Sequence, residues 1–294
     1  MASSKKVWFI TGVSRGLGRD LARAVLARGE VVVGTSRDGR ADLAAGAGQL
    51  HLLALDVTDP DQVEEVVPEA YRLHGRIDVL VNNAGAGLLG AVEESSAAEA
   101  ADVFAVNFFG PLRVIQAALP LMRAQGSGTI VNVSSIAGVA PGAGSGLYAA
   151  AKFALEGMSI SLSQEVGPLG LRVIVVEPGA FRTDFLTPES IRHATGSIAA
   201  YDETSGRTVR YLDALSGKQL GDPRLGALAM IEAVESADPP RHLLLGSDAL
   251  GRARTRLQQL ADEYDHWQAV SLGTDFIGGD ARPSLGAHSA APRT

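Results

Sequence analysis

No cysteine occurs anywhere in the 294 residues, which excludes disulfides, thiolate nucleophiles and cysteine-based metal sites at once. Lysine is almost as scarce: Lys5, Lys6, Lys152 and Lys218 are the only four. Basic residues (26) are outnumbered by acidic ones (33), for a formal charge of −7 and a pI near 5.4. A nucleic-acid or anionic-membrane surface needs clustered positive charge, so neither partner is expected. No unbroken apolar run reaches ~18 residues, the length of a membrane-spanning helix. The N-terminal MASSKKVWFITG passes straight into a strand pattern rather than an apolar signal segment with a cleavage site. A soluble, cytoplasmic protein without a membrane span is therefore expected. The six histidines (His51, His74, His193, His242, His266, His288) show no ligand spacing, so no metal is expected and each reads as surface or satisfied core.

What the chain does have is a 46% hydrophobic content, enough for one large α/β domain or two ordinary ones. Short apolar runs recur at Val7–Thr11, Val31–Thr35, Leu50–Val57, Ile77–Val81, Gly128–Ser134, Leu171–Glu177 and Arg241–Gly246. None alternates, and helix-period stretches lie between most of them. Helices are predicted at Arg19–Arg28, after Asp59 or Asp61 up to Gly75, at Glu99–Gln125 with bends at Pro111 and Pro120, at Leu147–Val166, Leu225–Val234 and Ala249–Gln268, while the segment between the second and third strands is a further helix candidate. Strands buried on both faces and followed by helices require a mainly parallel, doubly wound Rossmann-type sheet of about seven strands. A single dinucleotide-binding and catalytic domain over residues 1–277 is expected, with an irregular lid at 182–220 and a flexible tail at 278–294.

The first strand ends in Gly12-Val13-Ser14-Arg15-Gly16-Leu17-Gly18, a glycine turn that leads into a helix. Such a turn lets backbone approach a pyrophosphate, while the helix offers its N-terminal amides and positive dipole end. At the end of the second strand stand Ser36 and Arg37 where an NAD enzyme places an acid. A guanidinium pairs with a 2′-phosphate that an acid would repel, and Arg15 is placed to reach the same group. NADP(H) is thus expected over NAD(H). The alternative makes Arg37 a solvated residue and Asp38 the ribose ligand of an NAD enzyme. Asp56 and Val57 are expected beside the adenine, and Asn82-Asn83-Ala84-Gly85 would line the cofactor with small residues.

Tyr148 and Lys152 are four apart, so on a helix the ammonium lies one turn from the phenol. A neighbouring positive charge favours phenolate and would draw the phenol pKa down from ~10, suiting it to proton transfer. With five tyrosines and four lysines, chance alone yields this spacing about 0.07 times.

In one order along the chain stand TGVSRGLG, NNAG, Asn107, SSIAG, YAAAK and EPGAFRTDF. Together they resemble the short-chain dehydrogenase/reductase family over about Val7 to Gly246. The resemblance implies an active-site tetrad of Asn107, Ser135, Tyr148 and Lys152, the serine being the one thirteen positions before the tyrosine. Ser134 and Ser135 end an alternating strand, so only one of them reaches the site. By the same resemblance Ser135 hydrogen-bonds a substrate carbonyl, Tyr148 donates the proton, and Lys152 lowers the phenol pKa and holds the nicotinamide ribose. Asn107 steadies a water leading from Lys152 to solvent, Pro178 and Gly179 turn over the nicotinamide, and Thr183 holds its carboxamide. Homodimers or homotetramers through the long helices beside the fifth strand are also implied.

The expected activity is NADPH-dependent reduction of a carbonyl on a mainly apolar small molecule, reversible as alcohol oxidation. Phe181, Phe185, Leu186, Leu147 and Val139–Pro141 are the expected pocket wall. The alternatives are an NAD-linked alcohol dehydrogenase of the same family and a dinucleotide-binding regulator without turnover.

Overall fold

A computed structural model of the chain describes residues 5–276; the expected tail at 278–294 lies outside the described residues. The chain divides into two compact units, residues 1–253 and 254–294. In order, the described elements are β1 (Val7–Thr11), α1 (Gly16–Ala27), β2 (Val31–Ser36), β3 (Gln49–Ala54), α2 (Pro60–His74), β4 (Val79–Asn82), β5 (Gly87–Leu89), α3 (Ala97–Phe104), α4 (Gly110–Gln125), β6 (Gly128–Val133), α5 (Gly146–Val166), β7 (Leu171–Pro178), β8 (Ile191–His193), α6 (Arg207–Leu215), α7 (Pro223–Glu235), β9 (His242–Leu245) and α8 (Ser247–Leu272). The second unit takes in the part of α8 from residue 254 onward.

Seven strands form one parallel sheet in the order β3-β2-β1-β4-β6-β7-β9, as the buried, non-alternating runs predict. Side chains still alternate between the two faces, but both faces are apolar. Phe9, Val33, Leu80, Ile130 and Val173 pack under α2, α4 and α5, whereas Trp8, Ile10, Val32, Val81, Val131 and Ile174 pack under α1 and α7. Trp8 is wholly buried, and its indole N–H donates to Glu30 Oε2 at 2.6 Å, so no polar atom is stranded there. The strand order reverses between β1 and β4, the switch point beside which doubly wound sheets form their binding crevice, and the loops after these two strands lie there at the carboxyl edge.

Three local features differ from the expectations. The candidate helix between β2 and β3 is a run of turns, because Gly39 and Gly46 adopt left-handed φ values of 69° and 55° that a helix cannot contain. The break in the long helix falls not at Pro111 but at a π-helical turn, Ala105–Phe109. Pro111 sits in the first turn of α4, where little depends on its missing N–H, and the π turn takes up the irregularity. The third concerns the 29-residue span Ala97–Gln125, which holds an 18-residue window of mean hydropathy 1.3 and so meets the length and composition of a membrane-crossing helix. Its Val114, Ile115, Ala118 and Met122 are seated in the core, the other use of an apolar helix.

The segment expected as a lid is tied down rather than loose. β8 pairs in parallel with β5, and Gly87 is required there because a Cβ would come within 2.2 Å of Ile191. Glu94 accepts from the Ile198 amide at 2.8 Å and Glu99 from the Thr195 amide at 2.9 Å. Backbone donors hold both carboxyls below their ordinary range, chiefly the Ala91 amide for Glu94 and the Ser96 amide for Glu99. A carboxyl with a depressed folded pKa stabilises above its unfolded value and loses that contribution as pH falls through the folded one. Hydrogen exchange of residues 194–201 should therefore accelerate as pH drops below 4.5, the ordinary glutamate value, after correction for intrinsic rates. The Glu94→Gln/Glu99→Gln double variant should show the same loosening at pH 7. Protection that ignores both changes would mean that the carboxylates do not anchor the segment.

Candidate active site

The glycine turn after β1 is built by close backbone approach. Gly12 has φ 74°, and a Cβ there would stand 3.0 Å from the Ala84 Cα. A Cβ on Gly18 would lie 2.2 Å from Asn83 Nδ2 and 2.5 Å from the Gly12 carbonyl oxygen. Asn83 locks the turn by donating to the carbonyls of Thr11 and Gly12, both at 2.9 Å. Thr11 Oγ1 accepts from the amides of Asn83 (3.0 Å) and Ala84 (3.1 Å), a role that its place inside a strand does not advertise. α1 begins without a side-chain cap and with no acid in its first turn. Its first amides and its positive end therefore face the crevice unanswered, which fits a pyrophosphate.

Arg15 does not stand free for a phosphate: its Nη2 donates to the Glu189 carbonyl at 2.6 Å. Leu17 points inward, to the core under α1, and Ser14 is exposed. At the end of β2, Ser36 is buried and its hydroxyl accepts from the Arg40 amide at 2.8 Å. Asp38 folds back, accepting from the Ser36 hydroxyl (3.0 Å) and the Arg40 amide (3.2 Å), and these bonds hold its carboxyl below the usual range. Arg37 is exposed and makes no hydrogen bond or ion pair among the described residues. Asp56 closes its own turn on Thr58, and Val57 faces the core against Gly110, so the latter offers no side chain to an adenine.

At the other end of the crevice, Gly179 donates to the Leu245 carbonyl at 2.9 Å, and Asp248 accepts from the Ala180 amide at 2.8 Å, which fixes the turn after Pro178. Thr183 lies across from the glycine turn, since a Cβ on Gly16 would be 3.6 Å from its Cβ. The Thr183 hydroxyl caps the following 3₁₀ turn through the Phe185 amide at 3.3 Å.

β6 delivers the two serines to opposite sides, as strand alternation predicts. Ser135 Oγ accepts from the Ala137 amide at 3.1 Å and stands beside the Tyr148 phenol, whose ionised form it favours. Ser134 is buried against Gly138 on the other side. On α5, Tyr148 and Lys152 are both buried, with Lys152 Nζ 5.8 Å from the Tyr148 ring centre and donating to the Val133 carbonyl at 2.9 Å. Asn107, fully buried on the π turn, donates to the carbonyls of Ala86 and Val103, both at 2.8 Å. It meets Lys152 across Gly85, where a Cβ would sit 3.1 Å from Asn107 Oδ1 and 3.7 Å from Lys152 Nζ. Four residues from three separate stretches of the chain thus share one corner of the crevice.

The expectation that Lys152 lowers the phenol pKa does not hold in this structure. Burial pushes Tyr148 up to about 12, with only Ser135 acting against it. Burial also brings Lys152 down to about 8, against the opposing charge of Glu156. Desolvation of the phenol itself dominates, and the Lys152 ammonium is directed to the Val133 carbonyl.

The apolar wall is partly as expected. Leu147 and Phe185 join Leu88, Val103, Phe104 and Ala137 around Tyr148, the Phe185 ring lying 5.9 Å from the tyrosine ring. Phe181 is not part of it: its ring fills the space left by Gly221 and Gly226 beside Leu17. Val139 and Ala140 pack with Ala249 and Ala253 at the start of α8, and Pro141 is exposed.

A family model described as short chain dehydrogenase matches residues 6–193. The chain belongs to the short-chain dehydrogenase family. It is 36% identical over 273 residues to the oxidoreductase BOA17 of Botryotinia fuckeliana, covering 92% of this chain and 99% of that one. It is 35% identical to a 3-ketodihydrosphingosine reductase of Bacteroides thetaiotaomicron, over 82% of this chain and 88% of the relative. A short-chain dehydrogenase from Streptomyces avermitilis superposes with a TM-score of 0.87 at 41% identity, covering 94% of this chain and all of that one. Solved structures with this fold include one complex with NAD and one with NADP. The short-chain dehydrogenase fold and an oxidoreductase function follow for this protein.

Proposed function

We propose that this short-chain dehydrogenase reduces the carbonyl group of a mainly apolar small molecule with NADPH, using Ser135, Tyr148 and Lys152 with Asn107 in support. The observation that carries this reading is the buried Tyr148 phenol, set beside Ser135 and held protonated through the neutral range. That is the form a proton donor needs. Ser135 donates a hydrogen bond to the substrate carbonyl oxygen, and Tyr148 delivers its proton to the same oxygen as negative charge develops there. Donors aimed at that charge stabilise the transition state more than the ground state. When bound, the nicotinamide supplies or accepts the hydride. Lys152 would hold its ribose, and Asn107 holds the loop at Gly85 and Ala86 beside Lys152. The apolar side chains around Tyr148 favour an apolar substrate. The Bacteroides thetaiotaomicron relative, a ketone reductase by name, agrees with that class.

Two features support NADP(H) over NAD(H). Arg37 is unengaged at the end of β2, and Asp38, the acid that an NAD enzyme would use, is turned back onto Ser36. The glycine turn, the NNAG loop and the Pro178–Gly179 turn would hold the rest of the dinucleotide. The exposed Phe109, Phe153 and Ile160 along the π turn and α5 support a homodimer or homotetramer through these helices.

Oxidation of NADPH over a panel of steroids, aromatic ketones, aldehydes and oxoacyl esters tests the activity. Tight NADPH binding with no oxidation across the panel would replace the reductase with a non-catalytic binder. Arg37→Ala should weaken NADPH by about 10- to 100-fold, the value of a lost charged hydrogen bond, and leave NADH within about threefold. Equal losses for both nucleotides, or a native preference for NADH, would overturn the 2′-phosphate contact.

A further inference from the structure

Beyond Lys152 the same face of α5 carries a third ionisable group that the reaction does not require. Glu156 is one turn past Lys152, as Lys152 is one turn past Tyr148, and all three are buried. Glu156 is 6% exposed, and neither of its carboxylate oxygens has a well-formed hydrogen bond. Burial pushes its carboxyl up to about 7, and Ser134, which faces it, is the first of the groups that favour its ionised form. The packing there is tight: a Cβ on Gly138 would stand 3.2 Å from both Glu156 Cγ and Lys152 Cβ. From the sheet, Glu177 of β7 and His242 of β9 close the group. His242 Nδ1 lies 2.6 Å from Glu177 Oε1 and 3.7 Å from Glu156 Oε2, and its side chain is 46% exposed. The contact of 2.6 Å is a hydrogen bond between imidazole and carboxylate, so His242 joins two buried acids to solvent.

Lys152 needs such a neighbour. Its ammonium is buried and donates to a backbone carbonyl, and among the described residues it forms no ion pair. A buried charge without a counter-charge tends to neutralise, while an opposite charge acts strongly across a dry interior. Glu156 is the acid whose charge acts to hold the proton on Lys152. The charged groups around Glu156 favour its ionised form by two to one. Glu177 repels its charge, whereas His242 and Lys152 favour it, and Arg241 acts on His242 in turn. Tyr148, the remaining titratable neighbour of Lys152, is neutral.

We propose that Glu156 is a positioning residue that keeps the buried Lys152 charged, and that His242, standing between Glu177 and solvent, keeps Glu156 ionised. The proposal rests on Lys152 serving the reaction as assigned above, and its test is separable from that assignment. With only four lysines in the chain, ε-labelled lysine NMR resolves each ammonium, Lys152 being assigned from the Lys152→Met variant while Lys5, Lys6 and Lys218 serve as internal controls. The Lys152 midpoint, near 8 in the native protein, should fall by about one pH unit in Glu156→Gln. Glu156→Asp should recover most of that fall, and His242→Gln, a change at a half-exposed site, should give a smaller one in the same direction. A purely structural glutamate would leave the midpoint where it is. An unmoved or raised midpoint in Glu156→Gln overturns the proposal; should that variant not fold, an unmoved midpoint in His242→Gln does so. A lowered midpoint whose shift has no echo in the pH profile of kcat would uphold the electrostatic coupling and remove Lys152 from the reaction instead.

Discussion

Tyr148→Phe should lower kcat for carbonyl reduction by about 10³-fold, within the range that a positioned general acid supplies. The ring stays, so its contacts with Phe185 and the apolar wall are kept and only the hydroxyl is lost. Ser135 retains the Ala137 amide as a partner, and the stability change should stay within about 1 kcal/mol. Nucleotide affinity should change by less than about threefold, because the dinucleotide cradle is built by other residues. Steady-state kinetics, fluorescence titration of NADPH and a thermal melt separate these effects. A variant that keeps more than about a tenth of native kcat would exclude Tyr148 as the acid.

Gly18→Val should abolish measurable dinucleotide binding and destabilise the fold together. The first carbon added would overlap Asn83 Nδ2 at 2.2 Å and the Gly12 carbonyl oxygen at 2.5 Å. One of these is backbone and cannot rotate away. Displacing Asn83 breaks two hydrogen bonds to the turn, at about 1 kcal/mol each, and overpacking adds roughly 1–3 kcal/mol. The melting temperature should fall by several degrees, about 2–4 °C per kcal/mol for a domain of this size. Gly18→Ala should show the same pattern more weakly. Native NADPH affinity in the valine variant would show that the turn is not the pyrophosphate cradle.

Much of this was legible in residue order. Seven apolar runs without alternation point to strands covered on both faces, and each of them supplies a strand of the parallel sheet, the edge strands β3 and β9 being only half-buried. The glycine turn and the Tyr148–Lys152 pair were readable because each depends on local spacing. What sequence could not supply were outcomes of three-dimensional burial. Nothing in the spacing says that desolvation outweighs Lys152 at Tyr148, since that depends on how closely Leu88, Val103 and Phe185 surround the phenol. Phe181 and Phe185 look equivalent in FRTDF, yet one fills the space over two glycines of the core and the other lines the crevice. Glu156 carries no signal in the sequence, because its partners Glu177 and His242 come from β7 and β9. β5 and β8 are three residues each, too short for any periodicity, and only their pairing makes them strands. The π turn escaped for a related reason: proline draws attention to position 111, while the irregularity was absorbed just before it, at the turn that carries Asn107.

The anchoring of the segment after β7 bears on attempts to change what this enzyme accepts. Exchange of residues 182–220 for those of another family member looks like a self-contained graft. It is not one, because Arg15 grips the Glu189 carbonyl and Arg19 stands 3.8 Å from Asp184, so the first turn of α1 is fastened to the segment. β8 is meanwhile stitched to β5, directly downstream of the NNAG loop. A recombined segment that keeps Asp184 and the register of Gly87 with Ile191 leaves these fastenings in place, whereas one that discards them alters nucleotide and substrate binding in a single stroke.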